Sequence, residues 1–413
     1  MGYFKQAIIG ISWMSAFRVS SRFVAFIRII ILARLLNPFE FGLFGIVSIT
    51  LAFLEILTET GINVFFIQEK DKVKKHINEA WAVSIMRGAI LTCFILLTSP
   101  LIVYFFHAQE AYPLLFLISI VPLIRGFINP AVVSFQKNLE FHKHFYTQIA
   151  VFSLDSAVAV ILAFLTHSAI SFVFGLIAGA FLEVILSFLV ARPIPKINLH
   201  SEKIKHIIHR GKWVTAYGIF NYLAQEGDTV VVGKLLGAQS LGIYQMAYKF
   251  STLPISEITD VVNKVVFPVY ALIADDKVRL MWAFRRSMII ISLAVIALSL
   301  IIFILPQNFF TFILGRQWSN VTEIIKILTV YGMARAILSA SSTLLLAVKR
   351  QDYIARITLM RLLALTVSII PLTIQFGLTG TAFAVLFSVL IELPFLGYFT
   401  YKTINAKSFA YTH

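Results

Sequence analysis

Ionisable side chains inside long apolar runs are the part of this sequence that can do chemistry, because a charge in hydrocarbon is costly enough to mark a functional site. The run 8–33 carries Arg18, Arg22 and Arg28. On an insertion scale three arginines cost roughly 8–10 kcal/mol, and about a dozen large aliphatic and aromatic residues return only about 6. Such a segment is a poor span if lipid surrounds it, so its arginines must turn toward protein or water. Arg18 and Arg22 are four apart and share a helical face. Arg28 points about a quarter-turn away, where snorkelling to an interface is the competing account. Guanidinium is planar, permanently charged and matched to phosphate oxygens. A water-filled cavity lined by these groups would suit an anionic, phosphate-bearing substrate.

Other charges lie in apolar runs as well: Glu55 and Glu59, Arg125, Glu226 and Asp228, Lys249, Glu257, Asp260 and Lys264, Arg335 and Arg361. Structural ion pairs across helices compete with a functional role for all of them, and Asp228 with Lys249 is one candidate for such a pair. His206 with His209, and His142 with His144, are close enough in sequence to chelate a metal. Solvated histidines at an interface are the preferred account of both pairs.

The elements that must position these groups follow from composition. The chain has 413 residues, is 59% hydrophobic and only 13% charged, and its mean hydropathy is +0.87. Soluble domains carry about a quarter charged residues, so this is an all-α polytopic membrane protein. A span needs about twenty apolar residues. Such runs fall near 8–33, 41–66, 80–105, 112–135, 146–166, 170–191, 213–235, 241–267, 287–306, 323–347, 355–375 and 378–401, about twelve in all.

The chain also repeats itself. Ala33–Phe44 reads ARLLNPFEFGLF, and two hundred positions later Gly233–Tyr244 reads GKLLGAQSLGIY. Trp13, Phe17 and Asn63 fall on Trp213, Tyr217 and Asn263 in the same register, so one unit occurs twice. An even number of spans per copy makes the copies parallel. The expected organisation is a six-helix lobe at 1–195, a connector at 196–212 and a second six-helix lobe at 213–413. Within the connector Ile204, Ile207 and Ile208 share a face free of Lys203, Lys205 and Arg210, which reads as a short helix on the membrane surface.

Alternating the loops puts Lys70, Lys72, Lys74 and Lys75, the basic connector, and Arg285 and Arg286 on one side. The other side holds Arg34, Lys234 and Arg316. The bias is about seven to one, which makes the basic side the cytoplasm and places both termini there. Most of the formal charge of +15 is thereby explained, and no nucleic-acid partner is expected. The lone Cys93 excludes an intrachain disulfide framework. No nucleotide-binding GxxxxGK[ST] loop and no HExxH or Cys/His metal motif occurs, and no loop has room for a catalytic domain. No enzyme activity is expected.

The segment with Asn221-Tyr222, Asp228, Gly233, Leu236-Gly237, Leu241-Gly242, Tyr244 and Ala247-Tyr248 resembles the signature of the polysaccharide transporter, or oligosaccharide flippase, family. That family shares a superfamily with the multidrug and toxin extruders and the peptidoglycan lipid flippases. ARLLNPFEFGLFG is similar to its first-loop pattern, and Phe267–Arg286, Gly315–Leu328 and Lys349–Asp352 fit it in order. The resemblance covers nearly the whole chain and implies an extruder-like fold of two lobes that open alternately to either side of the inner (plasma) membrane. The implied substrate is an undecaprenyl-pyrophosphate-linked oligosaccharide, the repeat unit of O-antigen, capsule or exopolysaccharide. Its pyrophosphate would engage Arg18 and Arg22, with Arg28, Arg125, Arg335 and Lys249 as further ligands of the cavity. No cofactor is implied beyond a proton or sodium gradient acting through Glu59, Glu226, Asp228 or Asp260. Expected partners are membrane lipids and the polysaccharide polymerase and export machinery, with the carrier itself monomeric. The family's longer members have two further helices. The alternatives are a cation-coupled drug extruder of the same fold, and a non-transporting scaffold or membrane glycosyltransferase partner in polysaccharide assembly.

Overall fold

A computed structural model describes residues 3–57, 73–137, 140–196 and 201–405. Among them there are helices and turns and no strands. The helices are α1 (Tyr3–Leu35), α2 (Pro38–Leu57), α3 (Val73–Phe106), α4 (Ala111–Ile118), α5 (Ile120–Gly126), α6 (Val133–Lys137), α7 (Phe141–Thr166), α8 (Ile170–Val190), α9 (Ser201–Leu272), α10 (Lys277–Ile304), α11 (Gln307–Leu314), α12 (Val321–Ala347) and α13 (Gln351–Asn405).

Two of these are pairs of spans. α9 is broken at Gly237, with φ 79° and ψ 178°, and α13 at Gly377, with φ 60° and ψ −136°. Both are backbone conformations that residues with a Cβ rarely adopt. With those breaks counted, and α4 joined to α5, the described residues hold twelve apolar helical segments, the number that hydropathy predicts, the fourth (Ala111–Gly126) being shorter than a full span. Gly237 aligns with Asn37, the residue between α1 and α2, so the repeat places a turn at the same point in both copies. The first copy makes it differently. The Asn37 side chain accepts the Glu40 amide at 3.0 Å, and Pro38 opens α2 with its φ already set for a helix.

Two expectations shift. The fourth span, predicted as one helix over 112–135, ends at Gly126 and is followed by a short 3-10 turn at Pro130–Val132 and then α6. Asn129 directs the break: its side-chain oxygen accepts from the Ala131 amide at 3.0 Å, and its own amide donates to Ser187 Oγ at 3.0 Å. The predicted connector helix is not a separate piece, because α9 starts at Ser201 and runs on into the seventh span. The side chains of its amphipathic face lie outside the described residues, as does Glu59.

By contacts the chain forms two compact units, Met1–Val230 with Gly237–Gln239, and Val231–Leu236 with Ser240–His413. In the first, α7 lies along α8, α1 along α7, and α3 along α5. Glycines set the close approaches. A Cβ on Gly88 would come 2.5 Å from the Pro122 carbonyl oxygen, and one on Gly126 would come 2.9 Å from that of Ser84. In the second unit α12 packs against α13 and α10, with Ile255, Ile291, Val295, Ala336 and Ala340 forming one buried core. Leu97, Leu165, Ile304 and Val367 stand outward and exposed, as an apolar exterior in lipid requires.

The tightest approach is at Gly42 of α2, where a Cβ would sit 1.6 Å from the Ala238 carbonyl oxygen. Backbone cannot retreat as a flexible side chain can. Gly42→Ala is therefore expected to lower stability by roughly 1–3 kcal/mol, the usual size of forced overpacking, measurable as a drop in melting temperature in detergent.

Candidate functional site

In the first unit, arginines and carboxylates from different helices meet in pairs. Arg28 of α1 donates to Asp155 Oδ2 of α7 at 2.7 Å, with both side chains about nine-tenths buried. Its guanidinium carbon also lies 5.9 Å from the Phe172 ring centre. Asp155 Oδ1 is buried with no hydrogen bond, and a Cβ on Gly175 of α8 would come within 2.6 Å of it. Glycine at 175 is thus what lets α8 close over the pair. Arg125 of α5 reaches Glu55 of α2 at 3.2 Å and stands 3.9 Å from Glu183 of α8. Arg87 donates to the Glu55 backbone carbonyl at 2.6 Å, and Gln148 of α7 donates to Glu183 at 3.2 Å.

Three of these charges, Arg125, Asp155 and Glu183, border an open cavity of about 370 Å³ between α1, α5, α7 and α8. Phe17, Ser21, Arg125, Gln148, Asp155 and Glu183 contribute to its lining. An adjoining cavity of about 170 Å³ shares Gln148 and Glu183 and adds His144, Thr147 and Ser187. His144 packs at a tilt against Phe17, with 5.9 Å between ring centres. It is therefore a packed residue of this wall rather than a solvated interfacial histidine.

In the second unit the balance differs. Arg335 of α12 donates to the Tyr331 hydroxyl at 2.7 Å, one helical turn back. Tyr331 lies 6.2 Å from Tyr248 of α9, ring centre to ring centre. Arg361 and Glu392, both on α13, stand 3.7 Å apart and nearly buried. Glu392 Oε2 is buried without a hydrogen bond, and its charge acts on Arg335 from beyond pairing distance. Among the described residues no carboxylate comes within ion-pair distance of Arg335. Two guanidinium groups and one carboxylate leave this cluster with surplus positive charge.

The remaining residues singled out by sequence are dispersed. Arg18 is half-buried and Arg22 exposed on α1. Lys249 and Glu226 are half-buried on α9, and Asp260 is exposed. Asp228 is buried and accepts the Thr229 amide at 2.8 Å. Tyr222, on the turn before Glu226, donates to the Ile49 carbonyl of α2 at 2.7 Å. Among the described residues no three His, Cys, Asp or Glu side chains are grouped to hold a metal ion.

Sequence reasoning named Arg28 and Arg125 but missed Arg87 and the partners Asp155 and Glu183, together with Gln148, Tyr331 and Glu392. Asp155, Glu183 and Glu392 are solitary carboxylates in apolar runs. The rule that flagged Glu55 finds them equally well.

The architecture is that of known carriers. It matches a solved structure of the lipid II flippase MurJ in an inward closed conformation, with a TM-score of 0.72, 18% identity, and coverage of 94% of this chain and 87% of that one. An inward-facing multidrug resistance MATE family transporter matches with a TM-score of 0.69 and 13% identity, over 94% and 95% of the two chains. Among sequences, the lipopolysaccharide biosynthesis protein WzxC of Escherichia coli (strain K12) is 23% identical over 84% of this chain and 71% of its own length. The teichuronic acid biosynthesis protein TuaB of Bacillus subtilis (strain 168) is 25% identical over 84% and 72%. Residues 31–323, well over half the chain, match the family described as polysaccharide biosynthesis protein, and this multi-pass membrane protein belongs to that family.

Proposed function

We propose that the chain is a flippase that moves undecaprenyl-pyrophosphate-linked oligosaccharide repeat units from the cytoplasmic to the outer leaflet by alternating access. The observation that carries the reading is Arg335, a guanidinium within an apolar helix that is held by a tyrosine hydroxyl and has, among the described residues, no carboxylate at pairing distance. A permanently charged fork so placed is a ligand for phosphate oxygens. Arg28 and Arg125 are already engaged by carboxylates, and so serve the architecture of the first unit in this state. Lys249 is a secondary phosphate contact of the second unit, and Arg18 and Arg22 are phosphate contacts of the first.

Family membership and the names of the relatives support a glycan-bearing substrate. The protein works as a carrier rather than an enzyme, as a monomer of two six-helix lobes joined by the connector at 196–212. It lies in the inner membrane with both termini cytoplasmic, beside polymerase and export components. A proton or sodium gradient resets it through Glu226, Asp228 or Asp260.

The test is transport by purified protein in liposomes, using a fluorescent prenyl-pyrophosphate oligosaccharide in one arm and ethidium in the other. The flippase reading expects movement of the lipid and none of the dye. It also expects a reduced rate for the Arg18→Ala, Arg22→Ala double variant at equal folded abundance. Export of ethidium with an immobile lipid would transfer the chain to the drug extruders.

A further inference from the structure

The charges lining the two cavities of the first unit are poorly matched to phosphate, and their chemistry points elsewhere. The larger one is lined by one guanidinium and two carboxylates, Arg125 with Asp155 and Glu183. A phosphate entering it would meet net negative charge. A cation fares little better, because Asp155 is neutralised by Arg28 at 2.7 Å and Glu183 shares Arg125 with Glu55. What such a wall does offer is a closely spaced set of donors and acceptors. The Gln148 amide, the Arg125 guanidinium, the Glu183 carboxylate and the Ser21 hydroxyl border the same space, with the Phe17 and Phe152 rings beside them.

We propose that these cavities are a glycan subsite taking uncharged, polyhydroxylated sugar rings. This rests on the flippase reading and assigns the sugar portion of that substrate to the first unit. Small-ligand pockets run to on the order of 300–1,000 Å³, so the cavity of about 370 Å³ suits one ring with its substituents. The adjoining space of about 170 Å³ extends it toward Thr147 and Ser187. Both spaces share Gln148 and Glu183, hydrogen-bonded to each other at 3.2 Å, so a ring lying across the two would meet this pair first. Hydroxyl groups both donate and accept. They can answer an amide, a guanidinium and a carboxylate at once, which neither a pure anion nor a pure cation does. The aromatic walls supply apolar surface for the C–H faces of the ring.

The experiment compares binding of two probes to the full chain in nanodiscs: undecaprenyl pyrophosphate carrying a neutral tetrasaccharide, and the same lipid with no sugar. Wild type is expected to hold the glycosylated lipid more tightly. Gln148→Leu should lower that affinity about fivefold, the size of one neutral hydrogen bond, and leave the bare lipid unchanged. Ser21→Leu, which narrows the larger cavity without touching the Gln148–Glu183 pair, should have the same selective effect. Arg335→Ala should instead weaken both lipids alike.

Equal losses for the two lipids in Gln148→Leu, or no loss in either cavity variant with melting temperatures kept, would overturn the glycan subsite while leaving the flippase intact. Ethidium binding that disappears in Gln148→Leu would overturn it in favour of a cation site. Failure of the wild type to bind either lipid would remove the flippase reading itself.

Discussion

Arg335→Ala is expected to slow transport of a prenyl-pyrophosphate oligosaccharide in liposomes by at least about thirtyfold. That matches the lower end of the roughly 2–5 kcal/mol lost when one partner of a buried charged contact is truncated. The protein should remain folded, because Arg335 binds a neutral hydroxyl and its removal strands no carboxylate at pairing distance. Arg335→Lys should recover part of the rate, since lysine keeps the charge but loses the two-pronged geometry that phosphate accepts. Tyr331→Phe removes the group that aims the guanidinium and should cost about fivefold, in line with a single hydrogen bond. Transport by Arg335→Ala at the wild-type rate, with equal protein in the liposomes, would remove the phosphate site from α12.

Asp155→Ala should behave in the opposite way, harming the fold before it harms transport. It leaves the Arg28 guanidinium, about nine-tenths buried, with no counter-charge at its pairing position. Breaking a buried pair in this manner costs about 3–5 kcal/mol. A lower melting temperature and a poor monodisperse yield from detergent are the expected readouts. Removing both charges, as Arg28→Met with Asp155→Leu, should recover most of the loss, because apolar replacement of a whole buried pair is often neutral or better. A double variant no more stable than Asp155→Ala would deny the pair its structural role. The space for this pair depends on Gly175, where even a methyl group would come 2.6 Å from Asp155 Oδ1.

Hydropathy and the repeat made most of the fold legible. The turn at Asn37 and the break at Gly237 fall at one aligned position because both copies must reverse the chain after the same number of apolar residues. Continuous apolarity could not reveal the interruption of the fourth span. Asn129 breaks it through hydrogen bonds to Ser187 and to the carbonyls of Ala191 and Pro193, all distant in sequence. The charged residues were legible one by one but not as pairs. Arg28 and Arg335 look alike in the sequence, each an arginine in an apolar helix. Arg28 meets a carboxylate 127 positions away, whereas Arg335 meets a tyrosine on its own helix. Which arginine is left for a ligand is decided by helix neighbours, and only tertiary structure supplies those.

The pairing of Arg28 with Asp155 also restricts how this chain can change over generations. A lone charge left in the interior is worse than two or none, so the intermediates reached by one substitution are the unfavourable ones. Descendants cross that barrier only by changing positions 28 and 155 together, or by first acquiring a substitute counter-charge nearby. The two positions are therefore inherited as one character, although 127 positions separate them along the chain. Arg335, with no carboxylate at pairing distance among the described residues, is free of that restriction.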